Sequence, residues 1–400
     1  MRQRLLAGVC LALALGAAGC QDQPTAPAAN ASAATASAAA LRSAGPNAAL
    51  SRALPGGASL ERGEVVLPPA ARITDQQLTE AVRRALNPND YVCPPSTPIS
   101  DWWLQQALAF RDQEPALFQT LYVDWLADLI PTYEALYFET TATPQYFGYH
   151  GEYNRIMAKT EKDVKRFWDI RSDDIQLVAM HGTVLQDVER TAATYEAVFG
   201  LPAPLARQAA EIVRAAVLQS QVLDGGNHPL FSFNAFAFST FGGPIPDKIV
   251  MGDGILAGYS ALGFDDVAPQ AIYAHEFAHH IQFENGYFDD PYATTGSAAE
   301  QTRYTELMSD AMSAYYLTHA RGAAMNQKRV EQFLEVFYEI GDCAFSDPGH
   351  HGTPNQRMAA ARFGFQLAAE AQKQGHILPS AEVHARFVAA YPGLVAPDAI

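Results

Sequence analysis

The chain has 400 residues, and its 27 Lys and Arg against 43 Asp and Glu give a formal net charge of −16. An acidic chain without a basic run excludes nucleic acid as an expected partner, because it offers little to neutralise phosphates. A hydrophobic content of 48% predicts a large core.

The N-terminus predicts export from the cytoplasm. Arg2 and Arg4 precede the apolar stretch Leu5–Gly19, which is too short for a mature transmembrane helix, and Cys20 follows. This pattern resembles a bacterial lipoprotein signal, so we expect a signal peptide over residues 1–19 and a lipid on Cys20. Gln21 favours the outer membrane. If Cys20 is not acylated, the protein is secreted.

The chain beyond Cys20 divides by composition. Residues 20–60 are rich in Ala, Pro and Ser, which predicts a flexible tether. Residues 61–225 form a predicted helical region with apolar side chains at three- and four-residue spacing. Its predicted helices are Thr74–Leu86, Ser100–Arg111, Pro115–Tyr137, Asn154–Trp168, one capped by Asp173 or Asp174 and running through Val178 to Tyr195, and one starting at Pro204.

Two cysteines remain after the signal peptide and Cys20 are set aside. Cys93 and Cys343 form a possible disulfide in an oxidising envelope compartment, and the alternative is two buried free thiols.

Two strands are predicted after the helical region. Phe231–Thr240 is dominated by aromatic residues, and Asp247–Gly252 contains a short apolar run. If one of them is an exposed sheet edge, an extended polypeptide could pair with it.

The next helix carries a chemical motif. Asp265 or Asp266 is its predicted cap, and Asn285–Gly286 its predicted end. His275 and His279 lie one turn apart on a face of this helix, so both imidazoles can reach one metal ion. Glu276 lies beside them, where its carboxylate can take a proton from a metal-activated water.

A second predicted helix, Ser297–Arg321, supplies further acids. Catalytic zinc takes three protein ligands, and Glu306 is the natural third after His275 and His279. Asp310 is one turn further along, where it could accept a hydrogen bond from the free ring nitrogen of His275. The neighbouring apolar residues indicate a buried helix, in which carboxylates need partners.

These elements resemble those of the gluzincins, the thermolysin-like zinc metallopeptidases. The stretch from His351 to Arg357, His-Gly-Thr-Pro-Asn-Gln-Arg, is closest to an element of the bacterial neutral zinc metallopeptidases. The resemblance covers roughly residues 248–365. It implies that His275, His279 and Glu306 bind one Zn²⁺ and that Glu276 is the general base.

The resemblance also suggests roles for two residues of that last element. His351 would stabilise the oxyanion of the transition state, and the alternative is a structural loop histidine. Arg357 either pairs with a carboxylate of the site or caps the following helix, and the structural role is favoured. Three further histidines, His181, His228 and His280, are expected to be structural.

The sequence therefore predicts an α+β fold, mainly α, with zincin-like active-site helices, a small β-sheet and a zincin-like catalytic region over residues 226–400. The predicted function is zinc-dependent hydrolysis of polypeptide substrates in the bacterial cell envelope, at a membrane reached through the lipid on Cys20. One alternative is a non-enzymatic envelope lipoprotein, an assembly factor or chaperone that retains a zincin fold. Another is a scaffold that needs no zinc.

Overall fold

A computed structural model describes residues 92–94, 96–240, 245–341 and 350–397. The predicted signal peptide, Cys20, the tether, the helix at Thr74–Leu86 and Cys343 lie outside these residues. Cys93 is disulfide-bonded. No helix in the described part of the chain is both long and apolar enough to cross a membrane.

The first half of the described chain is mostly helical. Its helices are α1 (Pro98–Gln113), α2 (Pro115–Phe118), a π-helical turn (Gln119–Asp124), α3 (Ile130–Tyr137), α4 (Asn154–Phe167), α5 (Val188–Phe199) and α6 (Ala203–Gln219). Short 3₁₀ turns lie at Gly182–Gln186, Asp224–Gly226 and Pro229–Phe231.

The second half carries longer helices. They are α7 (Asp253–Ala261), α8 (Ala268–Asn285), α9 (Pro291–Thr294), α10 (Ala298–Thr318), α11 (Gln327–Glu339), α12 (Pro354–Gln374) and α13 (Ser380–Leu394), with a 3₁₀ turn at Tyr287–Asp289. Side chains all round α8 and α10 are buried, as expected of helices at the centre of a large domain.

Three short strands complete the described structure: β1 (Gln176–Met180), β2 (Ala235–Phe238) and β3 (Lys248–Gly252). β3 is central, pairing in parallel with β1 (Gln176 opposite Lys248) and antiparallel with β2 (Ala235 opposite Met251). The sheet thus joins strands from either side of residue 225. The predicted α+β, mainly α, fold class is confirmed.

Alternating strand residues divide the core between the two faces of the sheet. Val178, Phe236 and Val250 face one way and pack in a small cluster with Ala135 and Leu136 of α3. Ala179, Ala235 and Ile249, among others, face the large core built around α8, α10 and α12. A third, separate core lies among α1, α5 and α6.

The predicted helix through Val178 is wrong. Residues 176–180 form β1, and the following helix, α5, starts only at Val188. The stretch is a short apolar run buried on both faces, and such a run has neither helical nor alternating periodicity.

The predicted continuous helix Pro115–Tyr137 is also wrong. The chain leaves helical geometry after the π-helical turn, with Leu126 at φ +49°, and α3 begins afresh at Ile130. Pro131 explains the restart, because proline lacks the N–H of an interior helical residue and its ring clashes with the preceding turn.

Three predicted boundaries shift. Residues 229–231 are a 3₁₀ turn, so β2 is shorter than Phe231–Thr240. Residue Val267, and neither Asp265 nor Asp266, occupies the N-cap of α8, whereas the predicted end at Gly286 is confirmed by its left-handed φ of +70°. α10 ends at Thr318, before Arg321.

Helices α10 and α12 pack closely against each other. A Cβ added to Gly364 of α12 would lie 2.0 Å from the main-chain oxygen of Ala311 on α10. Glycine at this position therefore lets the backbones of α10 and α12 touch. This contact packs the middle of α12, the helix that follows His351, against the helix that carries Glu306 and Asp310.

Candidate metal centre

The structure brings together the three side chains predicted as metal ligands. His275 Nε2 lies 3.2 Å from both His279 Nε2 and Glu306 Oε2, and His279 Nε2 lies 3.4 Å from Glu306 Oε1. Donors at zinc–ligand distances around a tetrahedral ion are about 3.3 Å apart. The three donors therefore fit one small cation.

The donor set also has the chemistry of a catalytic metal site. Two neutral imidazoles and one carboxylate suit Zn²⁺, and three protein ligands leave a fourth position for water or substrate. The three residues are buried, with 4% (His275), 8% (His279) and 6% (Glu306) of their surface exposed. Within the described residues, this is the one group of three or more His, Cys, Asp or Glu side chains close enough to share a metal ion.

Asp310 lies beside the ring nitrogen of His275 that faces away from Glu306. Its Oδ1 is 3.0 Å from His275 Nδ1, an ion-pair distance. Burial alone would lower the pKa of His275, but the carboxylates of Asp310 and Glu306 outweigh it and raise that pKa to about 9. Without a metal ion, a proton therefore takes the place of the cation among the donors.

Arg357 pairs with the site, which corrects the favoured expectation of a purely structural role. Its Nε and Nη2 donate to the two carboxylate oxygens of Asp310 at 2.8 and 2.7 Å. Its Nη1 lies 3.4 Å from Glu306 Oε2. Arg357 and Asp310 are both fully buried, so this two-bonded pair orients the Asp310 carboxylate rigidly towards His275.

His279 has a different set of neighbours, which the sequence reasoning missed. Its Nδ1 lies 3.1 Å from both Gln282 Oε1 and Ser309 Oγ. The available signal was spacing: Gln282 follows His279 by three residues on α8, and Ser309 follows Glu306 by three on α10. Side chains three apart on a helix are neighbours.

Glu276 is buried beside the two histidines and beneath the sheet. The main-chain N–H of Ala237 on β2 lies close enough to favour the ionised form of its carboxylate. Burial raises the pKa of Glu276 above the ordinary glutamate value, against the opposing effect of the histidine charges. Glu276 is therefore a carboxylate that is close to the donors and shielded from bulk water.

His351 lies near Glu306 but outside the group of metal donors. Burial would raise the pKa of Glu306, but the charges and hydrogen bonds of His279 and His275, with a smaller effect of His351, hold it well below the usual range. The loop of His351 approaches α10 at Gly352 (φ +106°), where an added Cβ would lie 3.2 Å from a side-chain carbon of Leu307 and 3.4 Å from one of Arg303. The geometry places His351 next to the site without assigning it a chemical role.

Three further histidines, His280, His228 and His181, contact groups outside the candidate metal centre. The Nε2 of buried His280 donates to the carbonyl oxygen of Lys248 at 2.9 Å. His228 Nδ1 accepts from the main-chain N–H of Leu230. His181 lies 2.6 Å from Asp253. These contacts agree with the expected structural roles.

Comparisons with known proteins found no match to this chain among family models, curated proteins or solved structures. The likeness to gluzincins therefore depends on the motif residues and their geometry alone.

Proposed function

We propose that this protein is a zinc-dependent metallopeptidase that hydrolyses peptide bonds in the bacterial cell envelope. The observation that carries the proposal is the convergence of His275, His279 and Glu306. The two Nε2 atoms lie 3.2 Å apart, and each lies 3.2–3.4 Å from one oxygen of the Glu306 carboxylate. A bound zinc ion supplies Lewis acidity, which polarises a carbonyl and acidifies water.

Glu276 is the proposed general base. Glu276 follows His275 directly in the chain and is buried, so its carboxylate lies close to the donors and away from bulk water. Its raised pKa suits a group that takes a proton from water and later returns it to the leaving amine. An exposed surface glutamate would be a weaker base with a less defined position.

β2 supports a polypeptide as the substrate. In the described sheet β2 pairs with β3 on one side, and the main-chain N–H of Ala237 lies near enough to Glu276 to lower the pKa of its carboxylate. β2 is thus an outer strand of the described sheet near Glu276. Its four residues are buried, so the proposal requires an extended peptide to reach the long side of β2 that faces away from β3. His351 is the proposed stabiliser of the oxyanion, since it lies next to Glu306.

The envelope location is part of the proposal. It rests on the lipoprotein-like N-terminus, with Cys20 as the lipid anchor and residues 20–60 as the tether.

The test combines zinc content with peptide hydrolysis in the purified protein. We expect about one zinc per chain, severe loss of zinc in Glu306→Ala, and zinc retained in Glu276→Gln with hydrolysis lower by about 100- to 10,000-fold. Glu284→Gln, an exposed position on the same helix, is the matched control and should behave as the wild type.

Two outcomes would contradict the proposal. Full hydrolysis by Glu276→Gln would eliminate the mechanism. Zinc binding without hydrolysis of any peptide or denatured protein would favour the non-enzymatic lipoprotein with a zincin fold.

A further inference from the structure

Gln282 occupies a fully buried position between the two helices of the candidate centre. Its Nε2 lies 2.8 Å from the main-chain oxygen of Thr305 and 3.1 Å from Ser309 Oγ, and its Oε1 lies 3.1 Å from His279 Nδ1. One side chain therefore connects a proposed metal ligand on α8 to the main chain of α10.

The orientation of the Gln282 amide follows from its partners. The carbonyl oxygen of Thr305 can only accept a hydrogen bond, so the amide atom next to it must be the nitrogen. The second N–H of that nitrogen points to Ser309 Oγ. The amide oxygen then faces His279, and an amide oxygen can only accept.

This orientation determines the protonation of a neutral His279. A ring nitrogen beside an obligate acceptor carries the proton, so Nδ1 is the N–H and Nε2 keeps its lone pair. Nε2 is the atom that lies 3.2 Å from His275 Nε2 and 3.4 Å from Glu306. The tautomer that Gln282 selects is the one that can bind a cation at this point.

We propose that Gln282 is a positioning residue of the metal centre, which fixes the ring and tautomer of His279 for zinc. This inference rests on the part of the proposed function in which His279 binds a metal. Ser309 assists, because its hydroxyl contacts both the Gln282 amide and His279 Nδ1.

The two histidines are thus held by different chemistry. His275 faces the carboxylate of Asp310, which is itself held by Arg357, whereas His279 faces an uncharged amide. Glu276, Glu306 and Asp310 already bring three carboxylates into this buried space. A neutral acceptor orients His279 without a fourth negative charge, whose burial would be costly.

The experiment compares Gln282→Met, which keeps the length of the side chain, with Gln270→Leu as the matched control. Gln270 lies on the same helix and also donates to a main-chain oxygen, that of Asp266 at 2.8 Å, but outside the centre. Zinc affinity is measured by competition with a chelator. We expect affinity to fall about 10- to 100-fold in Gln282→Met and to stay unchanged in Gln270→Leu.

The second readout is the tautomer of His279 in the zinc-free protein, from long-range ¹H–¹⁵N correlation spectra. We expect Nδ1–H in the wild type and a mixture of tautomers in Gln282→Met. Gln282→Glu keeps an acceptor next to the ring, so it should restore Nδ1–H. A merely structural glutamine would affect the melting temperature and leave the tautomer unchanged.

Equal zinc affinity in Gln282→Met and Gln270→Leu, or the Nδ1–H tautomer persisting in Gln282→Met, would overturn the inference. A wild type that binds no zinc would contradict the proposed function instead, and the tautomer measurement would still decide the role of Gln282. If Gln282→Met does not fold, Ser309→Ala, which removes the other contact of His279 Nδ1, provides the same two readouts, and Gln282→Glu is the variant that retains the acceptor.

Discussion

The core among α1, α5 and α6 differs in kind from the core between α8, α10 and α12. The first is apolar and aromatic, with side chains such as Phe110, Tyr195 and Val213. The second buries the three proposed ligands together with Glu276, Asp310 and Arg357. Both stabilise helix packing, so a packed core does not require buried charges. Because ionised groups are expensive to bury, the polar core indicates a function beyond folding.

The largest expected effect is at Asp310. Asp310→Ala leaves the fully buried guanidinium of Arg357 without its main partner, and removing one member of a buried pair costs about 3–5 kcal/mol. We expect this loss in chemical denaturation, together with weaker zinc binding.

A double variant separates stability from function at the same place. Asp310→Leu with Arg357→Leu removes both charges, so it should be more stable than Asp310→Ala while zinc binding stays weak. Recovery of both stability and zinc binding would mean that the Asp310–Arg357 pair only supports the fold. The buried charges would then not distinguish the polar core from the apolar one in function.

The next effect is a pH dependence at His275 in the polar core. In the folded, metal-free protein the pKa of His275 is about 9, against 6.5 for an ordinary histidine. The raised pKa stabilises the metal-free fold fully below about pH 6.5, and this stabilisation is lost as the pH rises through about 9. Zinc must displace this proton, so its apparent affinity should rise about tenfold per pH unit between these values.

Calorimetry in buffers of different ionisation enthalpy can count the proton released. We expect close to one per zinc at pH 7.5 and markedly fewer in Asp310→Asn, where the carboxylate is absent. Proton release that is unaffected by Asp310→Asn would contradict the assignment to His275.

The smallest effect concerns the apolar core. Tyr195 Oη donates to the main-chain oxygen of Trp125 at 2.8 Å in a buried position. Tyr195→Phe leaves that oxygen unpaired and should cost about 1–3 kcal/mol of unfolding free energy. Zinc affinity and proton release should equal those of the wild type. A change in either would show that the two cores are coupled.

Local geometry explains what the sequence could predict. The positions of His275, His279, Glu306 and Asp310 follow from helical periodicity within α8 and α10, and the structure brings them together. The contact between Arg357 and Asp310 was harder to predict from the sequence, because it depends on how closely α12 packs on α10 at Gly364. Helical spacing marks the faces of each helix but does not determine which face meets which.

The strand β1 shows a second reason why part of the fold could not be predicted from local sequence patterns. Its hydrogen-bonding partner, β3, lies about 70 residues further along the chain, so no local pattern announces the pairing. The π-helical turn before Trp125 is a similar case. Pro131 does give a local signal. It predicts a break in the helix expected over residues 115–137, which the apolar periodicity alone did not indicate.

The parallel pairing of β1 with β3 also bears on how the chain can be divided. A fragment that begins at residue 226 would retain all the proposed ligands but lose the strand beside β3, leaving one long side of that buried strand without hydrogen-bonding partners. Proteolytic cleavage near residue 225 would therefore yield two incomplete pieces rather than a free catalytic unit. In folding terms, the residues on both sides of that point belong to one cooperative body.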